Sequence, residues 1–119
     1  MRLNRIVLDR LEYLWISKNV QRTKQILEKA SEKDPNVLNR VTYKILKAVE
    51  PLVSAPEQDS NEIQLTPKQK KVLANMVMTT LDIMANKILP EYQRRNLTEY
   101  LDDAKLKVGI LKGMYRKLQ

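Results

Sequence analysis

The feature that most constrains the fold is a regular apolar seam close to the C-terminus. Its spacing draws one stripe along an α-helix, the pattern of helices that pack lengthwise against each other. Asn96 is predicted as the N-cap of this helix, with Glu99 completing a capping box. A seam of this length needs partners of similar length, so the sequence predicts further helices alongside it. The members of the seam alternate at steps of four and three residues: Leu97, Leu101, Ala104, Val108, Leu111, Tyr115 and Leu118.

Three earlier segments supply the predicted partners. The first helix spans residues 3–32, with a possible bend near Ser17–Asn19, where helix formers are weak. Asp34-Pro35 starts a second helix over 35–53, and Thr66-Pro67 with Gln69 as a capping box starts a third over 67–89. The last helix spans 97–118, and the polar stretch 54–65 reads as a mobile loop. The predicted fold is therefore all-α, an antiparallel up-down four-helix bundle with residues 1–119 as a single domain.

The third predicted helix is apolar around more than half of its circumference, and its polar strip is almost without charge. Such a helix is either central in the bundle or covered by another chain. The predicted protein interface consists of Met76, Met78, Ile83 and Met84, since methionine suits adaptable contacts although it also fills cores. The longest uncharged run, residues 72–81, is too short to span a bilayer, so membrane insertion is not expected.

The residue types that are missing argue against catalysis. The chain has no histidine and no cysteine, and only two glycines, Gly109 and Gly113. It therefore lacks the usual general base, the thiolate nucleophile, the commonest metal ligands and a phosphate-binding loop. The acidic group Glu99, Asp102 and Asp103 suits a helix N-terminus. We expect no enzyme activity, catalytic residue, metal, cofactor or small-molecule substrate; the absence of cysteine suits the cytoplasm.

The strongest compositional signal is a net charge of +8, which favours an anionic partner. An up-down path would gather eight cations at one pole of the bundle. The helix dipole explains those at the end of the last helix but opposes those at the start of the third, where a bound anion is one explanation. Neutralisation by Glu57, Asp59 or Glu62 is the alternative. The predicted pole comprises Arg2, Arg5, Lys68, Lys70, Lys71, Lys112, Arg116 and Lys117.

A second group of cations follows the first two helices. The spacing puts each set on one face, and a helical hairpin could set the two faces side by side. Nearby Glu28, Glu32 and Asp34 dilute the charge, so an ordinary solvated face is the alternative. A basic flank of this kind suits contacts with a phosphate backbone, to which Tyr43 or Tyr92 could add stacking. The group comprises Lys18, Arg22, Lys29 and Lys33, followed by Arg40, Lys44 and Lys47.

These observations favour a non-enzymatic accessory subunit that binds DNA or RNA through phosphates, with weak sequence preference, inside a larger nucleoprotein complex. Small helical subunits of CRISPR effector complexes and basic accessory proteins of retroelements have comparable size and charge, although no motif is shared with either. The alternative is a protein-binding adaptor, inhibitor or immunity-type bundle. In that case the apolar third helix, or the polar loop 54–64, would dock on a partner protein or on a second copy, and the charge would steer the encounter.

Overall fold

A computed structural model describes residues 2–119, which are 75% helical and also contain a two-stranded antiparallel sheet. The chain divides into two compact units, Met1–Val72 and Leu73–Gln119. The strands are β1 (Asn4–Asp9) and β2 (Ser60–Leu65), and the α-helices are α1 (Arg10–Ala30), α2 (Val41–Val49), α3 (Pro67–Ile83), α4 (Leu89–Arg94) and α5 (Thr98–Leu118). The predicted helical character is thus right for most of the chain, and the all-α class is wrong for two segments.

The two segments that are not helical, β1 and β2, pair with each other as an antiparallel ribbon. Their register pairs Asn4 with Leu65 and Asp9 with Ser60. Alternate residues of each strand point to the same side, and on the inner side Ile6 and Leu8 of β1 are buried with Ile63 of β2. A two-stranded ribbon alone is marginally stable in water. Its apolar face is covered by contacts with α1.

The first helix begins at Arg10 rather than at residue 3. Asp9 ends β1 and serves as the N-cap: its carboxylate accepts a hydrogen bond from the Glu12 backbone N–H at 2.9 Å. The Glu12 carboxylate accepts in return from the Asp9 N–H at 2.9 Å, which completes a capping box. From there α1 runs as one α-helix to Ala30, so it is not split into two helices near Ser17–Asn19.

The predicted second helix over 35–53 is a series of three shorter ones. Asp34 and Pro35 start a helix as expected, and the Asp34 carboxylate accepts from the Asn36 N–H at 3.2 Å, but this helix is of the 3-10 type and ends at Asn39. Arg40 is extended, with φ −69° and ψ 143°, and separates it from α2. A second 3-10 helix, Glu50–Val53, includes Pro51. The predicted mobile loop 54–65 is wrong over its second half, which is β2.

α1 and α2 form an antiparallel helical hairpin. Three side-chain contacts show that the two helices are antiparallel. Residues progressively nearer the start of α1 contact residues progressively later in the chain. The Tyr43 hydroxyl donates to Glu28 at 3.3 Å, the Lys24 ammonium lies 3.3 Å from Glu50, and the Tyr13 hydroxyl donates to the Ala55 carbonyl at 3.0 Å. The hairpin therefore buries one face of each helix together with the ribbon.

The start of α3 follows the prediction. Thr66 and Gln69 form a capping box, in which the Thr66 hydroxyl accepts from the Gln69 N–H at 3.2 Å and the Gln69 side chain accepts from the Thr66 N–H at 2.9 Å. The predicted end at residue 89 is wrong, because the helix continues to Arg94 through a π-helical turn, Met84–Ile88. Pro90 has no N–H to donate, and a widened turn just before it accommodates the proline within the helix.

Within the second unit, α4 and α5 pack together as a hairpin. The rings of Tyr92 and Tyr100 lie 5.8 Å apart across it. Asn96 is not the N-cap of α5. It lies in the connection, in the left-handed conformation with φ 54°, which asparagine adopts more readily than most residues, and Leu97 precedes the helix without a side-chain cap.

The predicted seam of α5 is largely correct. Ala104, Val108, Leu111 and Leu118 are buried, while Tyr115 and the first two members of the seam are half-buried. Met114, which the seam omitted, is fully buried. Gly109 has open space where a side chain would project, so its location does not reflect close packing against another backbone.

One helix, Pro67–Arg94, is long and apolar enough to cross a membrane by length and composition. Core helices of soluble proteins meet the same criterion, but they are mostly buried, whereas 17% of the relevant window is buried here. The polar strip expected on this helix is present: Asn75, Thr79, Asp82 and Asn86 are all exposed.

Candidate nucleic-acid interface

A group of exposed cations lies on the helical hairpin of the first unit. We call it the hairpin strip. On α1, successive residues turn by about 100°, which places Lys18, Arg22 and Lys29 roughly opposite the buried Ile16 and Val20. This row therefore faces solvent. All seven members of the hairpin strip are exposed. They are Lys18, Arg22 and Lys29 on α1, Lys33 just beyond it, Arg40 just before α2, and Lys44 and Lys47 on α2.

The α2 row faces the same way. Leu46 and Val49 turn towards the core, and the cations lie well round the helix from them. Because the hairpin is antiparallel and Glu28 lies opposite Tyr43, Lys29 lies opposite Thr42, within one helical turn of Lys44 along the axis. The two rows thus form one basic surface on the outer side of the hairpin.

The cations of the strip are not neutralised by the carboxylates nearby. Within residues 2–119, none of the seven lies within ion-pair distance of an Asp or Glu. Glu28, which was expected to dilute the charge, instead accepts from Tyr43 and lies 3.8 Å from Lys24. Asp34 caps the 3-10 helix. Glu32 is exposed close to Lys33 and is the remaining nearby acid.

A polar cluster beneath the strip holds the two helices in place. Lys24 bridges Glu28 on its own helix and Glu50 beyond α2, and Tyr43 bonds to Glu28. The hydrogen bond to Glu50 raises the pKa of Lys24 against the opposing effect of burial, and the charge of Glu28 adds to the rise. Burial, together with the negative charge of Glu28, raises the pKa of Tyr43. Lys24 therefore stays charged and Tyr43 stays neutral near physiological pH.

Sequence reasoning missed this cluster. Distance along the chain groups Glu28 with Lys29 and Lys33, whereas its face on the helix places it beside Lys24. The four-residue step from Lys24 to Glu28 is the available sequence signal, since such a pair is adjacent on a helix. Glu50, which Lys24 also contacts, lies 26 positions away and could not be found from local spacing.

The predicted basic pole is divided between the two units. The ribbon register brings the beginning of β1 next to the end of β2, so Arg2 and Lys68 lie towards the same end of the ribbon. Arg5 is engaged there in an ion pair of 2.6 Å with Glu62, one of the acids expected to neutralise the pole. Lys68 and Lys71 are exposed, and Lys70 is half-buried. The other predicted cations of the pole, Lys112, Arg116 and Lys117, lie in the second unit on the last turns of α5.

The predicted protein-interface residues differ in accessibility. Met76, Met78 and Met84 are half-buried, while Ile83 is 44% exposed. The two tyrosines considered for stacking both have contacts within the protein. Tyr43 is buried and bonded to Glu28, and Tyr92 is half-buried against Tyr100.

Other kinds of site find little support in the described residues. No group of three or more acidic, histidine or cysteine side chains there could hold a metal ion. An open pocket of about 190 Å³ lies between Tyr13, Leu52 and Asn61. This volume is below the range of about 300–1,000 Å³ that is usual for small-molecule sites.

Comparison of the chain with protein-family models, with curated proteins and with solved structures finds no match. The chemistry of the surface is therefore the basis on which a function can be proposed.

Proposed function

We propose that the protein is a non-enzymatic accessory subunit that binds nucleic acid through phosphates within a larger nucleoprotein assembly. The observation that supports this proposal is the hairpin strip, whose seven cations are exposed on or next to the two helices of one hairpin and have no ion pair within residues 2–119. Cations already paired with carboxylates would have to lose those partners before they could bind phosphate. The cations of the strip have no such partners to lose, so they can bind phosphate directly.

The mechanism is electrostatic. Lysine and arginine side chains that reach phosphates displace condensed counterions, and the release of these ions drives binding. Such contacts orient the protein on the strand but do not read the bases. The cluster of Lys24, Glu28, Tyr43 and Glu50 contributes by fixing α2 against α1, so that both rows are in place before the ligand arrives.

The experiment is a salt titration of binding to a labelled 16-base-pair DNA duplex, read by fluorescence anisotropy. For B-DNA, each neutralised phosphate contributes about −0.9 to the slope of log affinity against log salt. The double variant Arg22→Gln/Lys44→Gln should therefore reduce the steepness of the slope by about 1.8 and weaken binding at low salt. An affinity that stays constant between about 50 and 200 mM salt would overturn the proposal.

Two matched variants locate the effect. Lys87→Gln/Lys105→Gln removes two exposed cations, also without ion pairs in the described chain, from outside the hairpin. It should retain the wild-type slope. Lys68→Gln/Lys71→Gln removes the same charge from the start of α3. A loss confined to this last variant would transfer the site to the predicted pole.

A protein-binding adaptor, inhibitor or immunity-type domain is the second candidate. One observation favours it: the helix Pro67–Arg94 is apolar, yet 17% of its most hydrophobic window is buried. A helix of this composition gains stability when another surface covers it. Under this candidate the exposed Ile83 and the neighbouring methionines would contact the partner.

A further inference from the structure

We infer that the preferred ligand of the hairpin strip is a double helix rather than a single strand. This inference rests on the proposed function and names the class of nucleic acid that the same surface takes. Three properties of the strip lead to it: the rigidity of its rows, the lack of a fully exposed ring beside them among the described residues, and their arrangement on two lines.

The rows are rigid because they are carried by helices and not by loops. α1 is continuous over the whole of Lys18 to Lys29. At a rise of about 1.5 Å per residue, the step from Lys18 to Arg22 is about 6 Å and that from Arg22 to Lys29 about 10 Å along the axis. A duplex presents phosphates at fixed intervals and can meet such a row without reorganisation. A single strand has to be ordered on it, which costs conformational entropy.

Among the described residues of the first unit, a single partly accessible aromatic ring lies beside the strip, so stacking can compensate little for this ordering. Proteins that bind single strands usually combine a basic groove with aromatic side chains on which the bases stack. Among the described residues of this unit, Tyr13 and Tyr43 are buried, and both hydroxyls are bonded within the protein. Trp15, the third aromatic residue of the unit, lies on the same face of α1 as Lys18 and Arg22, but it is half-buried and offers a base only part of its ring. In a duplex the bases are already stacked, so rings are not needed.

The two rows also suit a ligand with two lines of phosphate. One row follows α1 and the other follows α2, on the same outer side of an antiparallel hairpin, with Lys29 within one helical turn of Lys44 along the axis. Packed helix axes are typically 8–10 Å apart, which separates the rows by a distance of the order of a DNA groove. From Lys18 to the end of α1 the strip extends about 18 Å, or roughly five base pairs at 3.4 Å each.

The test compares a 16-base-pair duplex with each of its two separate strands, at one salt concentration, for the wild type and for Arg22→Gln/Lys44→Gln. We expect the wild type to bind the duplex at least tenfold more tightly than either strand, and the variant to lose most of this difference. The emission of Trp15, the only tryptophan of the chain, is recorded in the same titrations. It should not be quenched by the duplex, because no base stacks on the indole.

The possible results separate the inference from the proposed function. Equal or tighter binding of the single strands, lost in the double variant, would overturn the duplex preference while supporting nucleic-acid binding by the strip. Quenching of Trp15 by a tightly bound single strand would overturn it in the same way, by identifying a stacking ring. If neither form binds, or if the double variant binds both as the wild type does, the proposed function fails and the inference fails with it.

Discussion

Asn61 shows how much one polar side chain can hold together in the first unit. It is 8% exposed, at a position where the alternation of β2 points inwards. Its amide nitrogen donates to the Gln58 carbonyl at 2.7 Å and to the Leu8 carbonyl at 3.3 Å, and its oxygen accepts from the Gln58 N–H at 2.8 Å. The side chain thereby closes the turn before β2 and ties it to β1.

Replacement of Asn61 by alanine should lower the free energy of unfolding by about 1–3 kcal/mol, because buried backbone groups lose their partners. The measurement is urea denaturation followed by circular dichroism. Gln64→Ala is the matched control, since Gln64 is exposed on the same strand, and it should change the free energy by less than about 0.5 kcal/mol. Equal effects of the two substitutions would show that the bonds of Asn61 do not stabilise the ribbon.

At the scale of the element, the contact of α1 with α2 should make stability depend on alkaline pH. The raised pKa of Tyr43 means that the folded protein retains a proton at a pH where the unfolded chain has lost it. The unfolded state then binds fewer protons, so stability falls as the pH rises through this interval, which begins at the ordinary tyrosine pKa of about 10. The raised pKa of Lys24 acts with the same sign.

The variant Tyr43→Phe tests this dependence. It removes the titrating hydroxyl and its bond to Glu28, so it should be less stable than the wild type at pH 8 but should lose less between about pH 9 and 11. Urea midpoints at the two extremes measure the loss. Tyr100→Phe, at a ring that is 61% exposed, serves as control and should lose as much as the wild type. Parallel curves for all three proteins would rule out Tyr43 as a source of the alkaline loss.

The elements that the sequence predicted well are those with a local signal. The Thr66–Gln69 capping box and most of the α5 seam are confirmed, because each depends on spacing along one helix. The same kind of signal failed at Asn96, which lies in the connection before α5 and does not cap it. The ribbon has no comparable signal. Ile6, Val7 and Leu8 fit either a strand or a helix when taken alone, and the partner of β1 lies more than 50 positions away. Alternation of Asn61, Ile63 and Leu65 was the available indication.

For the molecule as a whole, prediction of the site was limited by topology. Each set of strip cations could be assigned to one helix face from spacing, because a helix repeats every 3.6 residues. Whether the faces adjoin depends on the antiparallel hairpin, which Lys24, Tyr43 and their acidic partners establish. The predicted basic pole depended on topology even more than the strip did. It depended on an up-down path through four helices, and a strand occupies the place where the first helix was expected to start.

The whole-molecule question is whether the apolar helix takes part in the function proposed for the strip. Ile83 is a suitable probe because it is 44% exposed and far along the sequence from the hairpin cations. Ile83→Gln should leave the free energy of unfolding within about 0.5 kcal/mol of the wild type, as for most exposed positions. If the strip alone binds nucleic acid, affinity for a 16-base-pair duplex should stay within twofold. The triple variant Arg22→Gln/Lys44→Gln/Ile83→Gln should then bind the duplex as the double variant does, because the effects of independent sites add and that of Ile83→Gln is close to zero.

An effect of more than tenfold from Ile83→Gln would instead identify the helix as a contact made in the bound state. Sedimentation of the wild type with and without the duplex would then show whether that contact is to a second copy of the chain.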